Sequence, residues 1–444
     1  IFACSQPILV ETRSVKDLIR GSLNKIVAVN RNETAAISWS FAYFFFLLAS
    51  YTMLRPLREE MGILGGVENL QWVFTGTFIA MLAAVPVFGW AAARYPRSKL
   101  LPIVYLFFIL NLLVFFLLFK SEFALVYVAR AFFIWVSVFN LFVVSVFWSF
   151  MADLFENEQA KRLFGFIAAG GSLGAFAGPA LTAFLAVPLG AINLLLLSAL
   201  FLAATLVAIQ RLSGQAHGKV PARAAIGGGV WAGVTTALSS PYLLGICAYI
   251  VLYTTLSTFL YFEQAHIVKA AIDDSGERTR LFALMDTGVN VLALGIQMFL
   301  TGRIISRFGV ASTLALAPAI AALGFVALGA VPALITLVAF QVLHRAVNHA
   351  IAKPAREILF TVVSREEKYK SKNFIDTVVY RGGDAASGWF FAALSAMGLG
   401  LSAISFVAAP IALVWLLSGI ALGRRQESLK AEPAGQLRVS VEHG

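Results

Sequence analysis

The chain has 444 residues, of which 59% are hydrophobic and 13% are charged, with a mean hydropathy of +0.83. This composition excludes an ordinary soluble globular protein and is typical of repeated transmembrane helices. The net charge of +11 does not indicate nucleic acid binding, because the basic residues lie between apolar stretches rather than on one polar face. Only two cysteines, Cys4 and Cys247, are present, which excludes a disulfide framework.

Residues 1–33 are basic, which is typical of a cytoplasmic tail or of a helix on the membrane surface. Apolar stretches follow, and each approaches or exceeds the roughly 20 residues that a transmembrane helix needs. They lie at about 34–56, 69–93, 100–119, 122–151, 163–187, 190–210, 240–263, 280–303, 309–329, 332–352, 371–397 and 401–423.

The sequence therefore predicts an all-α polytopic membrane protein with twelve transmembrane helices in two six-helix bundles. The bundles cover residues 34–210 and 240–423, with a cytoplasmic linker at 211–239 and a cytoplasmic tail at 424–444. Most lysines and arginines then fall on one side of the membrane, and the positive-inside rule places both termini in the cytoplasm. The expected location is a bacterial inner membrane.

A weak internal repeat agrees with two equivalent halves. A basic turn that begins at Gly89 ends the second stretch, and a similar turn that begins at Gly302 ends the eighth, 213 residues later. This layout resembles the major facilitator superfamily, which has two six-helix bundles. The turn at 302–309 resembles that family's Gly-x-x-x-Asp-Arg-x-Gly motif, with Ser306 in place of the aspartate. Two unrelated positive-inside loops are the alternative.

A charged string at 55–62 ends the first apolar stretch, and Pro56 is expected to bend or end the helix there. Charge near hydrocarbon is costly and often lines the path of a charged solute. Arg58 is a candidate for binding an anion, because a guanidinium makes bidentate bonds to phosphate or carboxylate. Alternatively, Arg58 and Glu59 could be interfacial charges, paired with one another or with lipid headgroups, and the same alternative applies to Glu60.

The seventh stretch carries Glu263 near its end, where it could take up a proton, form a gate or simply lie in water at the outer edge. Tyr249 and Tyr253 are one helical turn apart and central, so they could stack on a ring in a cavity. In the eighth stretch, Asp286 and Asn290 share one polar stripe that must face the bundle. That stripe could contact a substrate or a neighbouring helix.

The tenth and eleventh stretches are unusually polar for membrane helices. Arg345 is spaced to interact with His349, and Arg381 with Asp384 is a predicted internal ion pair. Lys372 and Asp376 share the face that enters the eleventh helix. Lys372 could hold an anion from the cytoplasmic side, or it could be an ordinary positive-inside lysine.

Motifs for catalysis, cofactors or metals are not found. Gly170, Ser172 and Gly174 match a Gly-x-Ser-x-Gly motif by letters, but they lie in an apolar helix without the strand-turn-helix context of a nucleophile. Gly170, Gly174 and Gly178 step by four, which predicts close helix packing. The chain is therefore expected to be no enzyme and to need no cofactor or metal.

Four strings of the sequence lie at 39–44 with 54–62, at 147–150 with 158–165, at 262–269, and at 352–357 with 372–376. Together they are similar to the nucleotide transporter family, the ATP/ADP translocases of plastids and obligate intracellular bacteria. In that family, charged residues in spans 1, 4, 7 and 11 are implicated in exchange, and Arg58, Glu263 and Lys372 match those of spans 1, 7 and 11. The acid of span 4 has no counterpart, because Val136 or an apolar neighbour stands there and Asn140 is the nearest amide.

These observations predict a monomeric transporter that moves a small organic anion, with nucleotides among the candidates, by alternating access. A proton-coupled exporter of hydrophobic compounds and a non-transporting receptor or scaffold are the alternatives. The two charged strings are expected at opposite mouths of the pathway. The predicted substrate residues are Arg58, Lys372, Tyr249, Tyr253 and Asn290, and the predicted coupling or gating residues are Glu263, Asp286, Arg345, Asp376, Arg381 and Asp384.

Overall fold

The computed structural model describes residues 33–95, 97–213 and 230–431, and those residues form helices joined by short turns. The predicted tail at 1–33 lies outside the described residues except for Glu33, as do most of the linker and the last 13 residues. The first half contains α1 (Thr34–Leu64), α2 (Leu70–Arg94), α3 (Arg97–Lys120), α4 (Leu125–Leu154), α5 (Asn157–Leu189) and α6 (Leu194–Ser213).

A short helix, Val230–Ser239, lies within the predicted linker and precedes the second half. The second half begins with α7 (Pro241–Ala271). A long helical stretch from Ser275 to Ala330 follows and is broken at Gly309, whose φ of 75° and ψ of 178° suit a residue without a side chain. The break separates α8 (275–308) from α9 (310–330). The last three helices are α10 (334–359), α11 (365–396) and α12 (Leu401–Ala431).

Ten of the described helices are long and apolar enough to cross a membrane. The stretch from Ser275 to Ala330 is one of these ten, but its break at Gly309 divides it into two spans, α8 and α9. Helix α11 is more polar and is not among the ten, and it brings the number of spans to twelve. The predicted twelve-helix membrane fold is therefore confirmed. Three helices, α8, α10 and α11, contain a π-helical turn, at Gln297–Thr301, Asn348–Ala352 and Ile375–Val379.

Each half has its own hydrophobic core. One core is formed by residues between Ile37 and Leu212, and the other mainly by residues between Leu243 and Leu422. The predicted close packing of the glycine stripe is confirmed, because a side chain at Gly170 or Gly178 would meet backbone oxygens of α1 at about 2.6 Å. Two separately packed bundles can move against one another as units.

The two halves are joined most tightly at the end of the bundle where α1 ends and α8 begins, which we call the closed end. There Arg278 of α8 donates to both carboxylate oxygens of Glu60 on α1, each at 2.7 Å. The Trp389 indole of α11 also donates to Thr75 of α2 at 3.0 Å. Among the described residues, the hydrogen bonds that join the halves lie at this end or near mid-depth, where Asn290 donates to the Ala175 carbonyl.

The structure corrects two predicted helix ends. Helix α1 does not end near Pro56 but continues for two more turns to Leu64. Proline removes only one backbone donor, and the rest of the helix is held by close packing against α4, α5 and α6. Helix α7 likewise continues past Glu263 to Ala271, so Glu263 lies two turns inside the helix and is fully buried. An outer-edge carboxylate in water is therefore excluded for Glu263.

Candidate functional site

A cavity of about 320 Å³ lies between the two halves. Its walls come from α1, α2 and α4 of the first half and from α7, α10 and α11 of the second. Neither half could form it alone. Five basic side chains line it, namely Arg55, Arg58, Arg345, Lys353 and Arg381.

Helix α1 places two of these arginines on the cavity wall. Arg55 and Arg58 are three residues apart, so they lie on one face of the helix that continues through Pro56. The Arg58 guanidinium donates to Glu59 at 2.9 Å and lies 4.7 Å from the centre of the Phe133 ring. Arg55, Arg58 and Glu59 of the charged string thus line the cavity, whereas Glu60 lies at the closed end. The position of the two strings at opposite mouths stays a prediction.

Helix α10 presents a polar stripe to the cavity. Gln341, Arg345, His349 and Lys353 follow one another at steps of four residues, which keeps them near one face. Gln341 donates to the Gln264 side chain of α7 at 2.7 Å. Among the described residues Lys353 has no ion-pair partner. The stripe therefore brings positive charge from the deep part of the cavity toward the end opposite the closed end.

Asp286 lies behind this wall and contacts arginines of both halves. It accepts a hydrogen bond from Arg345 at 2.6 Å and lies 3.8 Å from Arg55. Its side chain is only 6% exposed. A carboxylate in such a place is stable only with cations beside it, and the two guanidinium groups supply them.

Helix α11 contributes an ion pair to the opposite wall. Arg381 contacts Asp384 at 3.4 Å, which confirms the predicted internal pair, and Thr258 of α7 donates to Asp384 at 3.5 Å. Both Arg381 and Asp384 line the cavity. The pair leaves the net charge of this wall unchanged, so it orients donors without adding charge.

Aromatic rings cover much of the remaining surface. Tyr253 lines the cavity, and its hydroxyl accepts a hydrogen bond from Asn348 at 2.9 Å. The side chains of Tyr51, Phe74, Phe133, Tyr261 and Tyr380 also line it. A cavity with charged groups and flat rings can hold a ligand that has an ionic group and a planar part.

Several polar atoms of the cavity have no hydrogen-bond partner among the described residues. They are Arg58 Nε, Glu59 Oε2 and His344 Nε2. Buried polar groups are normally satisfied by protein, water or ligand. Each of these three atoms is itself buried, so it could reach a ligand only after its side chain moves.

The structure places other predicted residues away from the cavity. Lys372 pairs with Glu357 at 2.6 Å, and Asp376 pairs with Arg356 at 3.6 Å. Tyr249 is buried within the second half, where its hydroxyl donates to the Leu314 carbonyl. The substrate and coupling roles of these residues stay predictions that no cavity contact supports.

Glu263 and Asn290 also lie outside the cavity wall. Glu263 accepts a hydrogen bond from Ser405 of α12 at 2.7 Å, and its second oxygen has no partner among the described residues. Asn290 joins α8 to α5 through the Ala175 carbonyl. The polar stripe of α8 therefore faces neighbouring helices, and the coupling role of Glu263 stays a prediction.

The cavity lining includes residues that were not predicted as site residues, among them Arg55, Lys353 and Gln264. Arg55 belongs to the charged string at 55–62, Lys353 follows the tenth apolar stretch and Gln264 follows the seventh. The four-residue step from Gln341 to Lys353 on α10 was a usable signal, because it marks one helical face. No local signal pointed to Gln264, whose partner lies 77 residues away.

The family model of the Major Facilitator Superfamily matches residues 34–355 of the chain. No curated protein matches the sequence. A bacterial homologue of the iron transporter ferroportin has a similar structure, with a TM-score of 0.64 and 12% identity, covering 88% of this chain and 98% of that one.

Two further solved structures share the fold. A bacterial homologue of the human lysosomal transporter Spinster has a TM-score of 0.60 and 11% identity, and the match covers 92% of this chain and 100% of that one. The nucleoside transporter NupG has a TM-score of 0.59 and 11% identity, with 90% and 99% covered. At such identities the likeness shows the fold alone. Because the family model covers most of the chain and the twelve-helix architecture agrees, the chain belongs to the major facilitator superfamily and is a secondary transporter of that kind.

Proposed function

We propose that this transporter carries an organic anion through the cavity by alternating access of its two halves. The observation that carries the proposal is the charge of the cavity. Five cations line it, whereas three carboxylates, Glu59, Asp286 and Asp384, line it or contact its arginines. Two positive charges remain uncompensated, and a ligand with two negative charges would balance them.

The arginines and aromatic side chains of the cavity restrict the class of organic anion that fits. Arginine binds phosphate and carboxylate groups through parallel hydrogen bonds, and a nucleobase can stack on tyrosine or phenylalanine. A nucleoside monophosphate such as AMP combines a ring with about two negative charges at pH 7. The resemblance to nucleotide transporters supports the same choice, whereas the apolar Val136 at the span-4 position and Lys372 outside the cavity do not support exchange of ATP for ADP.

The polar lining argues against the rival function of exporting hydrophobic compounds. A site for apolar cargo would be expected to consist mainly of apolar side chains with few charges. Here charged and amide groups from five helices face the same space. Desolvating them against an apolar ligand would cost free energy, so an anion is the better fit.

The closed end gives the direction of access. The cavity is sealed at the end where Glu60 meets Arg278, and the positive-inside rule assigns the opposite end to the cytoplasm. We therefore propose that both termini are cytoplasmic and that this conformation receives its ligand from the cytoplasmic side.

Thermal unfolding of the purified protein in detergent tests the charge requirement. AMP is expected to raise the Tm, because a ligand that binds only the folded state stabilises it. Adenosine, which has the same ring without the phosphate, is expected to raise the Tm much less. A wider set of nucleoside monophosphates, sugar phosphates and dicarboxylates covers other dianions.

The Arg58→Gln variant tests the assigned site. It is expected to weaken AMP binding about tenfold to a hundredfold, because a hydrogen bond to a charged group contributes about 1.5–3 kcal/mol. Lys372→Gln is the matched control, since it removes an equal charge outside the cavity. If no organic anion stabilises the protein or enters proteoliposomes, the proposal is wrong; equal losses in both variants would remove the site assignment.

A further inference from the structure

Asp286 connects the cavity arginines of the two halves. It lies on α8 of the second half, accepts from Arg345 of the same half at 2.6 Å and contacts Arg55 of the first half at 3.8 Å. Arg55 and Arg345 both line the cavity, whereas Asp286 is almost fully buried behind them. One carboxylate thus stands between two guanidinium groups that face the ligand space.

These two arginines use few of their donors. A guanidinium has five N–H groups. Among the described residues, Arg55 makes no hydrogen bond, and Arg345 makes one through its side chain, to Asp286. Their side chains are 28% and 21% exposed, respectively. Both therefore keep donors available to an anion that enters the cavity.

We infer that Asp286 is an internal counter-anion, which holds Arg55 and Arg345 while the cavity is empty and yields Arg55 when the anionic group of the substrate binds. The inference rests on the proposed function and deepens it. Arg55 is the arginine that is released, because its contact with Asp286 is longer and lacks a hydrogen bond. Arg345 keeps Asp286 in place within its own half.

The consequence concerns the empty transporter. To return without cargo, the cavity must pass through a closed state in which water no longer screens its charges. Uncompensated positive charge in a low dielectric raises the barrier of that step. Asp286 lowers the uncompensated charge of the empty cavity from three to two, so it allows the unloaded protein to reorient and supports net transport in addition to exchange.

A second consequence concerns affinity. Asp286 competes with the substrate for Arg55, so removing its charge leaves the arginine free for the ligand. The Asp286→Asn cavity would carry one more uncompensated positive charge than the wild type. It is therefore expected to bind AMP more tightly and to gain even more affinity for ADP, which carries about one further negative charge.

Transport in proteoliposomes tests the inference with labelled AMP. Uptake into empty vesicles measures net transport, and uptake into vesicles preloaded with unlabelled AMP measures exchange. For Asp286→Asn, exchange is expected to stay within about twofold of wild type while net uptake falls at least about tenfold, because the unloaded cavity must return with three uncompensated positive charges whereas the AMP-loaded cavity carries only one. Glu277→Gln is the matched control, since it removes an exposed carboxylate from the same helix.

The outcomes separate this inference from the proposed function. If the wild type binds and moves no organic anion, the proposed function fails and the inference fails with it. If the wild type moves AMP and Asp286→Asn loses net uptake and exchange equally, or loses neither, only the inference is overturned. If Asp286→Asn does not fold, Arg55→Gln is the second variant, because it keeps the Asp286–Arg345 pair. It is expected to bind AMP more weakly, with an unchanged or higher ratio of net uptake to exchange. A lower ratio would overturn the inference.

Discussion

Arg278 and Arg345 each contact a buried carboxylate, but they differ in how fully their donors are used. Arg278 donates to both oxygens of Glu60 and also to the carbonyls of Ile272 and Asp273 at 2.8–2.9 Å. Arg345 makes one side-chain hydrogen bond to Asp286, and the rest of its guanidinium faces the cavity. Arg278 thus makes four hydrogen bonds with its five N–H groups, and Arg345 makes one.

The difference separates a structural contact from a ligand site. Arg278 is buried and protein groups engage most of its donors, so its contacts hold the halves together at the closed end. An unsaturated guanidinium beside a cavity has donors that a phosphate or carboxylate can use. Arginine thus holds the two halves together at the closed end and can bind a ligand in the cavity. The hydrogen-bond partners of each arginine distinguish the two roles.

Replacement of Arg278 is expected to have the largest effect on stability. Arg278→Gln leaves Glu60 fully buried without its cation, and the loss of one partner of a buried ion pair costs about 3–5 kcal/mol of unfolding free energy. The Tm of the purified variant measures this. The double variant Glu60→Gln with Arg278→Gln is the control and is expected to recover part of the loss. An unchanged Tm for Arg278→Gln would contradict the structural role of the pair.

Replacement of Arg345 is expected to affect binding more than folding. In Arg345→Gln, Arg55 still neutralises Asp286, so the loss of stability should stay at about 1–2 kcal/mol. AMP affinity should fall at least about tenfold, because a charged donor to the anion is lost. Arg356→Gln on the same helix is the control, since Arg356 pairs with Asp376 outside the cavity. A large Tm loss with unchanged AMP binding would make Arg345 structural, like Arg278.

Local sequence patterns were sufficient to predict the helical architecture. Apolar stretches of membrane-spanning length predicted the twelve helices, and the four-residue glycine step predicted the contact of α5 with α1. The spacing of Arg381 and Asp384 predicted their ion pair. In each case the partners are either close in sequence or specified by helical periodicity.

Long-range partners could not be predicted in this way. Glu60 and Arg278 are 218 residues apart, and nothing near either residue identifies the other. The predicted end of α1 at Pro56 was wrong. Proline removes only one backbone hydrogen bond, and partners in the cavity and at the closed end stabilise the charged residues that follow it. Lys372 looked like an anion ligand, but the structure pairs it with Glu357.

The smallest effect is expected for Lys269, which lies at the same closed end as Arg278. It pairs with Glu68 of the other half at 3.2 Å, but the two side chains are 46% and 67% exposed. Water and salt screen such a pair, so Lys269→Gln should change the unfolding free energy by no more than about 0.5 kcal/mol. Thermal unfolding of Lys269→Gln beside Arg278→Gln checks this directly. Equal losses in the two variants would mean that position at the closed end, and not burial and the number of hydrogen bonds, determines the strength of these contacts.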